Sequence, residues 1–301
     1  MVLIKHLFIF FLCSISINAS STDFLYFSNY PESINYPQQI FSENINLENV
    51  RFHYYHLNNT PKNLTKSLTI SNKENFISKI EIININNSGF DGSKLSFHNS
   101  FNYWNLFLNK EHQSISIPPN KSVVISEEVI KPQELSHGII KIYNPQKSNL
   151  LIDLIYEGNI YNSFPKNPIR PVVTKKLIKK DYTILPYGPK VIIPIGHIDK
   201  TIYEYNHGNY AQIHELNFKF INPYDYPLES IVYYHRISGM SRNNIIINNK
   251  IIQTKYILMS SPVEKIHKFI IPSNSSATHK ISLFPESGNF YPIEIVLSSL
   301  K

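Results

Sequence analysis

Apolar and polar residues alternate along most of this chain with the two-residue period of β-strands. Residues 50–57 show the pattern best: the even positions from Val50 to His56 lie on one face of an extended segment, and the odd positions from Arg51 to Leu57 lie on the other. No stretch of a dozen residues has a helical period. Clusters of Asn, Pro, Ser and Gly separate the strands at β-sandwich spacing, so the sequence predicts an all-β fold.

Strands are predicted in both halves of the chain. In the N-terminal half they are 50–57, 67–71, 78–85, 114–117, 122–126, 138–143 and 150–156. In the C-terminal half they are 190–195, 211–221, 229–235, 244–247, 251–257, 263–271, 278–284 and 293–297. Asn248 and Asn249 join two apolar runs and tolerate the positive φ of a tight turn, which predicts a hairpin.

The two halves resemble each other at two turns. In 57–64 and in 221–228, an apolar residue and Asn end one strand, and a Leu six residues after the Asn begins the next. In 117–125 and in 271–279, an apolar residue and Pro end one strand, and a polar turn leads into another. The same order of both pairs favours two tandem copies of one unit.

The segment 165–182 separates the two halves and is rich in Pro and Lys. This composition is typical of an exposed linker, and a blunted edge strand is the alternative. We therefore predict two tandem immunoglobulin-like antiparallel β-sandwich domains, 24–164 and 183–301, joined by this linker or edge segment.

Residues 1–19 are predicted to be a secretory signal peptide. Lys5 gives a basic start, 7–17 is apolar, and Ala19 supplies a small residue for cleavage. Eleven apolar-dominated residues are too few for a transmembrane helix, which needs about 20. We expect an exported protein, extracellular, at the cell surface or periplasmic, with no transmembrane segment after cleavage.

Composition removes several chemistries from consideration. The only cysteine of the 301 residues is Cys13, inside the predicted signal peptide, so a Cys nucleophile, a Cys-ligated metal and a disulfide are not expected in the mature protein. The net charge of +7 would suit a polyanion. Export favours a glycan, a cell-envelope polymer or a protein partner over nucleic acid.

Several short motifs resemble those of a family of secreted bacterial two-domain β-sandwich proteins of unknown function. They are His207-Gly208-Asn209-Tyr210, Gly239-Met240-Ser241-Arg242, the Asn248-Asn249 hairpin, residues 287–293, residues 53–58 and the Ile117-Pro118-Pro119 turn. Ala211 and Glu286 stand where that family's loops would have glycine. The resemblance implies the fold and assigns no functional residue.

The sequence holds no recognisable catalytic constellation. Nucleophile-elbow, phosphate-loop, acidic Ca²⁺-loop and helical two-His zinc motifs are absent from it, so no catalytic residue, metal site or cofactor is predicted. His53 and His56 are three apart on a strand and point to opposite faces, which predicts one partly buried and one exposed histidine rather than a chelating pair.

Strand alternation predicts that four loops meet at one end of the second sandwich, because alternate connections of antiparallel strands emerge on the same side. Loops at the end of a rigid sandwich commonly carry binding residues. The candidate binding residues are His207, Asn209, Tyr210, Ser241, Arg242, Asn289 and Tyr291. The alternative is that Tyr210 and Tyr291 close the end of the core.

Trp104 is the only tryptophan, and we expect it in the core, although an exposed Trp beside Tyr103 would suit sugar stacking.

The leading hypothesis is an exported, non-enzymatic binding or structural protein. The alternatives are a carbohydrate-active or esterase-like hydrolase with an interdomain site, and a periplasmic chaperone-like protein that offers an edge strand to its clients.

Overall fold

The structure is a computed structural model that describes residues 23–28, 32–158, 172–175, 177–196, 210–237, 239–256 and 262–301. These residues form twenty strands and one α-helix, which confirms the all-β prediction in its main point. The predicted signal peptide, 1–19, lies outside the described residues.

The elements follow one another from the N-terminus in two series. The first series is β1 Asp23–Ser28, β2 Ser33–Ile34, β3 Gln38–Ile45, β4 Asn49–Asn58, β5 Leu64–Asn72, β6 Ser78–Gly89, α1 Gly92–Asn109, β7 Gln113–Ile117, β8 Ser122–Ile130, β9 Leu135–Tyr143 and β10 Leu150–Glu157. The second is β11 Val172–Lys175, β12 Leu177–Ile184, β13 Val191–Ile195, β14 Ile213–Asn222, β15 Leu228–Arg236, β16 Asn244–Ile247, β17 Lys250–Gln253, β18 Val263–Ile271, β19 Ser275–Leu283 and β20 Ile293–Leu297.

Each half contains two sheets, and the strand order of the first half recurs in the second. The N-terminal sheets are β11-β1-β4-β9-β6-β7, with β2 beside β4, and β3-β10-β5-β8. The C-terminal sheets are β12-β14-β19-β16-β17 and β13-β20-β15-β18. The parallel pairing of β1 with β4 also recurs, between β12 and β14. The likeness of the two halves therefore extends from the turns to the strand pairing.

A separate hydrophobic core lies between the two sheets of each half. In the N-terminal core, Phe52 of β4 packs in the same cluster as Leu154 of β10. In the C-terminal core, Phe218 of β14 is clustered with Ile295 of β20. Both clusters draw alternate residues from facing strands, which is how a sandwich buries one face of each sheet.

Strands β1, β2 and β3 were not predicted. In β1, Leu25, Tyr26 and Phe27 are all buried, because Tyr26 faces the N-terminal core while Leu25 and Phe27 pack against Ala211 of the C-terminal half. A strand buried on both faces can be apolar throughout, so its sequence lacks the alternation that marks a half-buried strand.

The prediction of no helix was wrong for α1. Asp91 caps its start by accepting a hydrogen bond from the backbone N–H of Lys94 at 3.0 Å, and Lys110 ends it in the left-handed region, at φ 56°. The segment is rich in Ser, Asn and aromatic residues, which are weak helix formers. Its buried face, with Tyr103 and Trp104, supplies the stabilisation that propensity does not.

Within the segment 165–182, the described residues 172–175 and 177–182 belong to strands β11 and β12. β11 pairs with β1 at the edge of an N-terminal sheet, and β12 pairs with β14 at the edge of a C-terminal sheet. Residues 165–171 and 176 lie outside the described residues. The chain therefore passes between the halves from one edge strand to another.

The first predicted turn resemblance coincides with equivalent connections. Asn58 ends β4 and donates from Nδ2 to the Ile130 carbonyl at 2.9 Å; Asn222 ends β14 and donates in the same way to the Ile271 carbonyl at 3.2 Å. Both amides tie the turn after their own strand to the end of a strand in the other sheet of the same half, β8 or β18. The spacing of six residues thus reflects a side-chain anchor.

The second predicted resemblance joins connections that differ in the fold. Ile117 ends β7 and leads into β8, whereas Ile271 ends β18 and leads into β19. The two turns look alike because Asn120 and Asn274 both adopt positive φ, 54° and 47°, where Asn is favoured. By strand order, the counterpart of Ile271 is Ile130 at the end of β8.

Candidate functional site

Three of the four predicted loops come together in the described residues, those with Tyr210, with Arg242 and with Asn289, and most of the fourth, 258–262, lies outside them. Tyr210 donates from its hydroxyl to the Asn289 carbonyl at 2.8 Å, and its ring meets that of Tyr291 edge-on at 5.6 Å. The backbone N–H of Arg242 donates to Asn289 Oδ1 at 3.3 Å, and Ser241 is buried beside them, bonded to Tyr234. His207 and Asn209 lie outside the described residues.

This loop cluster packs against the N-terminal half. Ser93 of α1 donates to Asn289 Oδ1 at 3.4 Å, the Arg242 guanidinium lies 4.4 Å from the centre of the Phe97 ring, and Tyr210 stacks on Phe27 of β1. A side chain at Gly288 would come within 3.1 Å of the backbone of Ser93. The loops are therefore part of the contact between the two halves, and a ligand would meet most of their polar groups already paired.

A buried carboxylate, Glu286, lies in the same contact. Its Oε1 accepts hydrogen bonds from Ser100 Oγ of α1 at 2.5 Å and from the Asn244 backbone at 2.9 Å. Burial raises the pKa of the Glu286 carboxyl to about 7, and the hydrogen bonds from Ser100 and Asn244 oppose that rise. Sequence reasoning noted Glu286 only as a departure from glycine. Its signal was a charged residue next to Pro285, within an otherwise uncharged loop.

Tyrosine hydroxyls extend this polar cluster into the C-terminal half. Tyr291 accepts from the Glu286 backbone at 2.9 Å and donates to Asn243 Oδ1 at 2.8 Å. Tyr234 donates to the same oxygen at 2.8 Å. Buried polar groups that satisfy one another in this way fix a single arrangement of the loops.

A histidine pair is buried on the N-terminal side of the contact. The Nε2 atoms of His53 and His137 are 2.7 Å apart, and Ser287 Oγ of the C-terminal half is 3.4 Å from His53 Nε2. Burial lowers the pKa of His137 to about 3 and that of His53 well below its usual range, so both rings are neutral at neutral pH. One ring donates to the other. The prediction of an exposed histidine in this strand was wrong, because His56 lies in the core and the outward-facing His53 is covered by the C-terminal half.

Among the described residues, no group of three or more His, Cys, Asp or Glu side chains is arranged to hold a metal ion. Ser287 and His53 are the kind of pair that the hydrolase hypothesis requires, but both are buried. Trp104 is buried as well, packed against Phe284 and Ile246 of the C-terminal half. Its apolar environment belongs to the contact between the halves rather than to the core of either half.

A concave groove lies on the outer face of the β13-β20-β15-β18 sheet. It has a volume of about 860 Å³ and is mainly apolar. Its lining residues are Lys190, Ile192, Glu229, Ile231, Tyr233, His235, Val263, Glu294, Val296, Ser298, Ser299 and Lys301. His235 Nδ1 and Glu294 Oε2 pair at 2.8 Å on one side. Sequence reasoning missed this surface, because the groove is formed by residues from four strands that only the fold brings together.

Within the described part of the chain, no helix is both long and apolar enough to span a membrane.

No protein-family model matches the chain, and no curated protein does. Among solved structures, the chain is similar to the crystal structure of Lac15 from a marine microbial metagenome at 7% identity, over 92% of this chain and 62% of that one, with a TM-score of 0.15. A likeness this low carries no argument about fold or function.

Proposed function

We propose that this chain is an exported, non-enzymatic binding protein made of two tandem immunoglobulin-like β-sandwich domains. Its ligand is a glycan, a cell-envelope polymer or a protein. The repeated strand order and the separate cores of the halves support the tandem arrangement. The signal-peptide pattern of residues 1–19 supports export.

The groove on the β13-β20-β15-β18 sheet carries this proposal. Its volume of about 860 Å³ falls in the range of ligand sites, and it combines apolar side chains with a few polar groups at its sides. The loop cluster with Tyr210, Arg242 and Asn289 is covered by α1 and β1. The outer face of this sheet is therefore the better place for a ligand of the C-terminal half.

Paired isoleucine variants test the groove. Ile192 lines it and is 45% exposed, and Ile77 of the N-terminal half is 52% exposed and lies outside it. We expect Ile192→Glu to weaken binding to a glycan and cell-envelope array at least tenfold, since a charge would enter an apolar contact. Ile77→Glu should bind like the wild type, and both variants should keep the wild-type melting temperature.

Equal binding by the two variants would contradict a groove site.

Export is tested separately, by expressing the full chain with its own N-terminus in a secreting bacterial host and measuring the mass of the product. We expect a mature chain that begins at Ser20. Full-length protein retained in the cytoplasm would contradict export.

A further inference from the structure

Three tyrosines form an exposed cluster at the end of the C-terminal half that is remote from the N-terminal half. Tyr187 is 60% exposed, Tyr226 44% and Tyr224 38%. The rings of Tyr224 and Tyr226 stack with centres 5.3 Å apart, and Tyr187 meets Tyr224 edge-on at 5.9 Å. The hydroxyls of Tyr187 and Tyr226 are hydrogen-bonded at 2.9 Å. We call these three residues the tyrosine platform.

The loop that carries Tyr224 and Tyr226 is held rigidly. Asn222 donates to the Tyr226 carbonyl at 2.8 Å and accepts from the Tyr224 N–H at 3.0 Å. The Tyr224 carbonyl also accepts from the Asn274 N–H at 2.7 Å. Because the backbone is fixed before any ligand arrives, binding would order few additional groups.

Tyr187 is held in a conformation that its residue type disfavours. Its φ is 55°, in the left-handed region, where a non-glycine residue costs about 1 kcal/mol or more. Its N–H donates to the Leu300 carbonyl at 2.9 Å, which fixes it there. A glycine at this position would relieve the strain. An aromatic side chain that is both exposed and placed on a strained backbone points to a binding role for the ring.

The platform lies at one end of the groove. Tyr187 precedes Lys190, which lines the groove, by three residues, and Tyr226 precedes Glu229, another lining residue, by the same interval. The Glu229 N–H donates to the carbonyl of Lys301, also in the lining, which joins the chain end to this site. The chain segments that carry the platform thus lead directly into residues that line the groove.

We propose that the tyrosine platform stacks against the pyranose rings of a neutral glycan. This inference rests on the proposed function and names its ligand class. A pyranose has an apolar C–H face that fits an aromatic ring, and hydroxyls that bond to phenol and carboxylate groups. Asp225, exposed between the two stacked tyrosines, offers such a carboxylate. The stretches 185–188 and 222–228 contain no Lys or Arg, so the platform itself offers no cation to a phosphate; Lys190 and Lys301 belong to the groove beside it.

The test measures binding of cellohexaose and chitohexaose to the full mature chain by isothermal titration calorimetry. We expect the wild type to bind at least one of them. Tyr226→Ala and Tyr187→Ala should each weaken that binding about three- to tenfold, the loss expected for one ring contact. Tyr36→Ala is the matched control, since Tyr36 is 50% exposed in the N-terminal half and should not affect binding.

Tyr187→Gly separates recognition from folding. It removes the ring and relaxes the backbone, so binding should fall as in Tyr187→Ala while the melting temperature stays at or above that of the wild type. The proposal is overturned if the wild type binds neither oligosaccharide, if it binds decaproline instead, or if the tyrosine variants bind like Tyr36→Ala. If those variants bind normally while Ile192→Glu does not, the platform fails and the groove stands.

Discussion

Glu286→Gln should make the protein's stability less sensitive to pH. Glutamine keeps the shape of the side chain and an acceptor oxygen for Ser100 and Asn244, but it cannot ionise. The wild-type carboxyl loses its proton near pH 7 when folded and near its ordinary value of 4.5 when unfolded. Between these values the folded state binds more protons, so the free energy of unfolding falls as pH rises.

The size of the effect follows from that shift. At about 1.4 kcal/mol for each pH unit, moving the pKa from 4.5 to about 7 corresponds to about 3 kcal/mol. Below pH 4.5 Glu286 and its glutamine replacement should contribute alike. By pH 8 the free energy of unfolding of the variant, relative to the wild type, should have risen by about 3 kcal/mol.

Urea unfolding at pH 4.5, 6 and 8, followed by the fluorescence of Trp104, measures this difference. The buried histidines have lowered pKa values, so their contribution makes the protein less stable as pH falls. Both proteins contain these histidines, so this contribution cancels in the comparison. Glu229→Gln is the control, because Glu229 is exposed and paired with Lys268 at 2.8 Å. A difference between Glu286→Gln and wild type that stays constant from pH 4.5 to 8 would refute the reasoning.

Variants at two further positions, Phe284 and Asp91, test the contact between the halves and the cap of α1. Phe284→Ala should lower the free energy of unfolding by about 3–5 kcal/mol and shift the Trp104 emission to the red, because the Phe284 ring packs 5.4 Å from the indole; an unchanged emission would mean that the tryptophan is shielded by other groups. Asp91→Ala should cost about 1 kcal/mol through loss of the cap on α1, seen in thermal unfolding, whereas Asp91→Asn should cost much less. Equal losses in the two Asp91 variants would show that the cap hydrogen bond is not what stabilises the helix.

The sequence predicted those strands along which apolar and polar residues alternate. The even positions of β4, from Val50 to Tyr54, face the N-terminal core as the alternation predicted. The hairpin at Asn248 and Asn249 is also confirmed, with φ of 47° and 64° between β16 and β17. In both cases the signal is local: side chains two apart share a face, and Asn tolerates a positive φ.

The contact between the halves could not be predicted in this way. α1 has weak local propensity and is stabilised by Phe284 and Ile246, which lie more than a hundred residues away. His53 looked like a solvent-facing residue until the C-terminal half covered it. The loops with Tyr210, Arg242 and Asn289 meet, but nothing in their sequence revealed that α1 would pack against them. When a distant segment covers a residue, the alternation of apolar and polar residues around that residue does not show it.

The crossing between the halves has a mechanical consequence. β11 ends at Lys175 in the sheet of one half, and β12 begins at Leu177 in the sheet of the other, so a single residue separates the two pairings. β11 is held to β1 over four residue pairs, and β12 to β14 over eight. Once the contact between α1 and the C-terminal half has parted, a force that pulls the halves apart acts directly on these two strand pairings, because only residue 176 lies between them. The shorter pairing should yield first, releasing β11 as a tether while both cores stay folded.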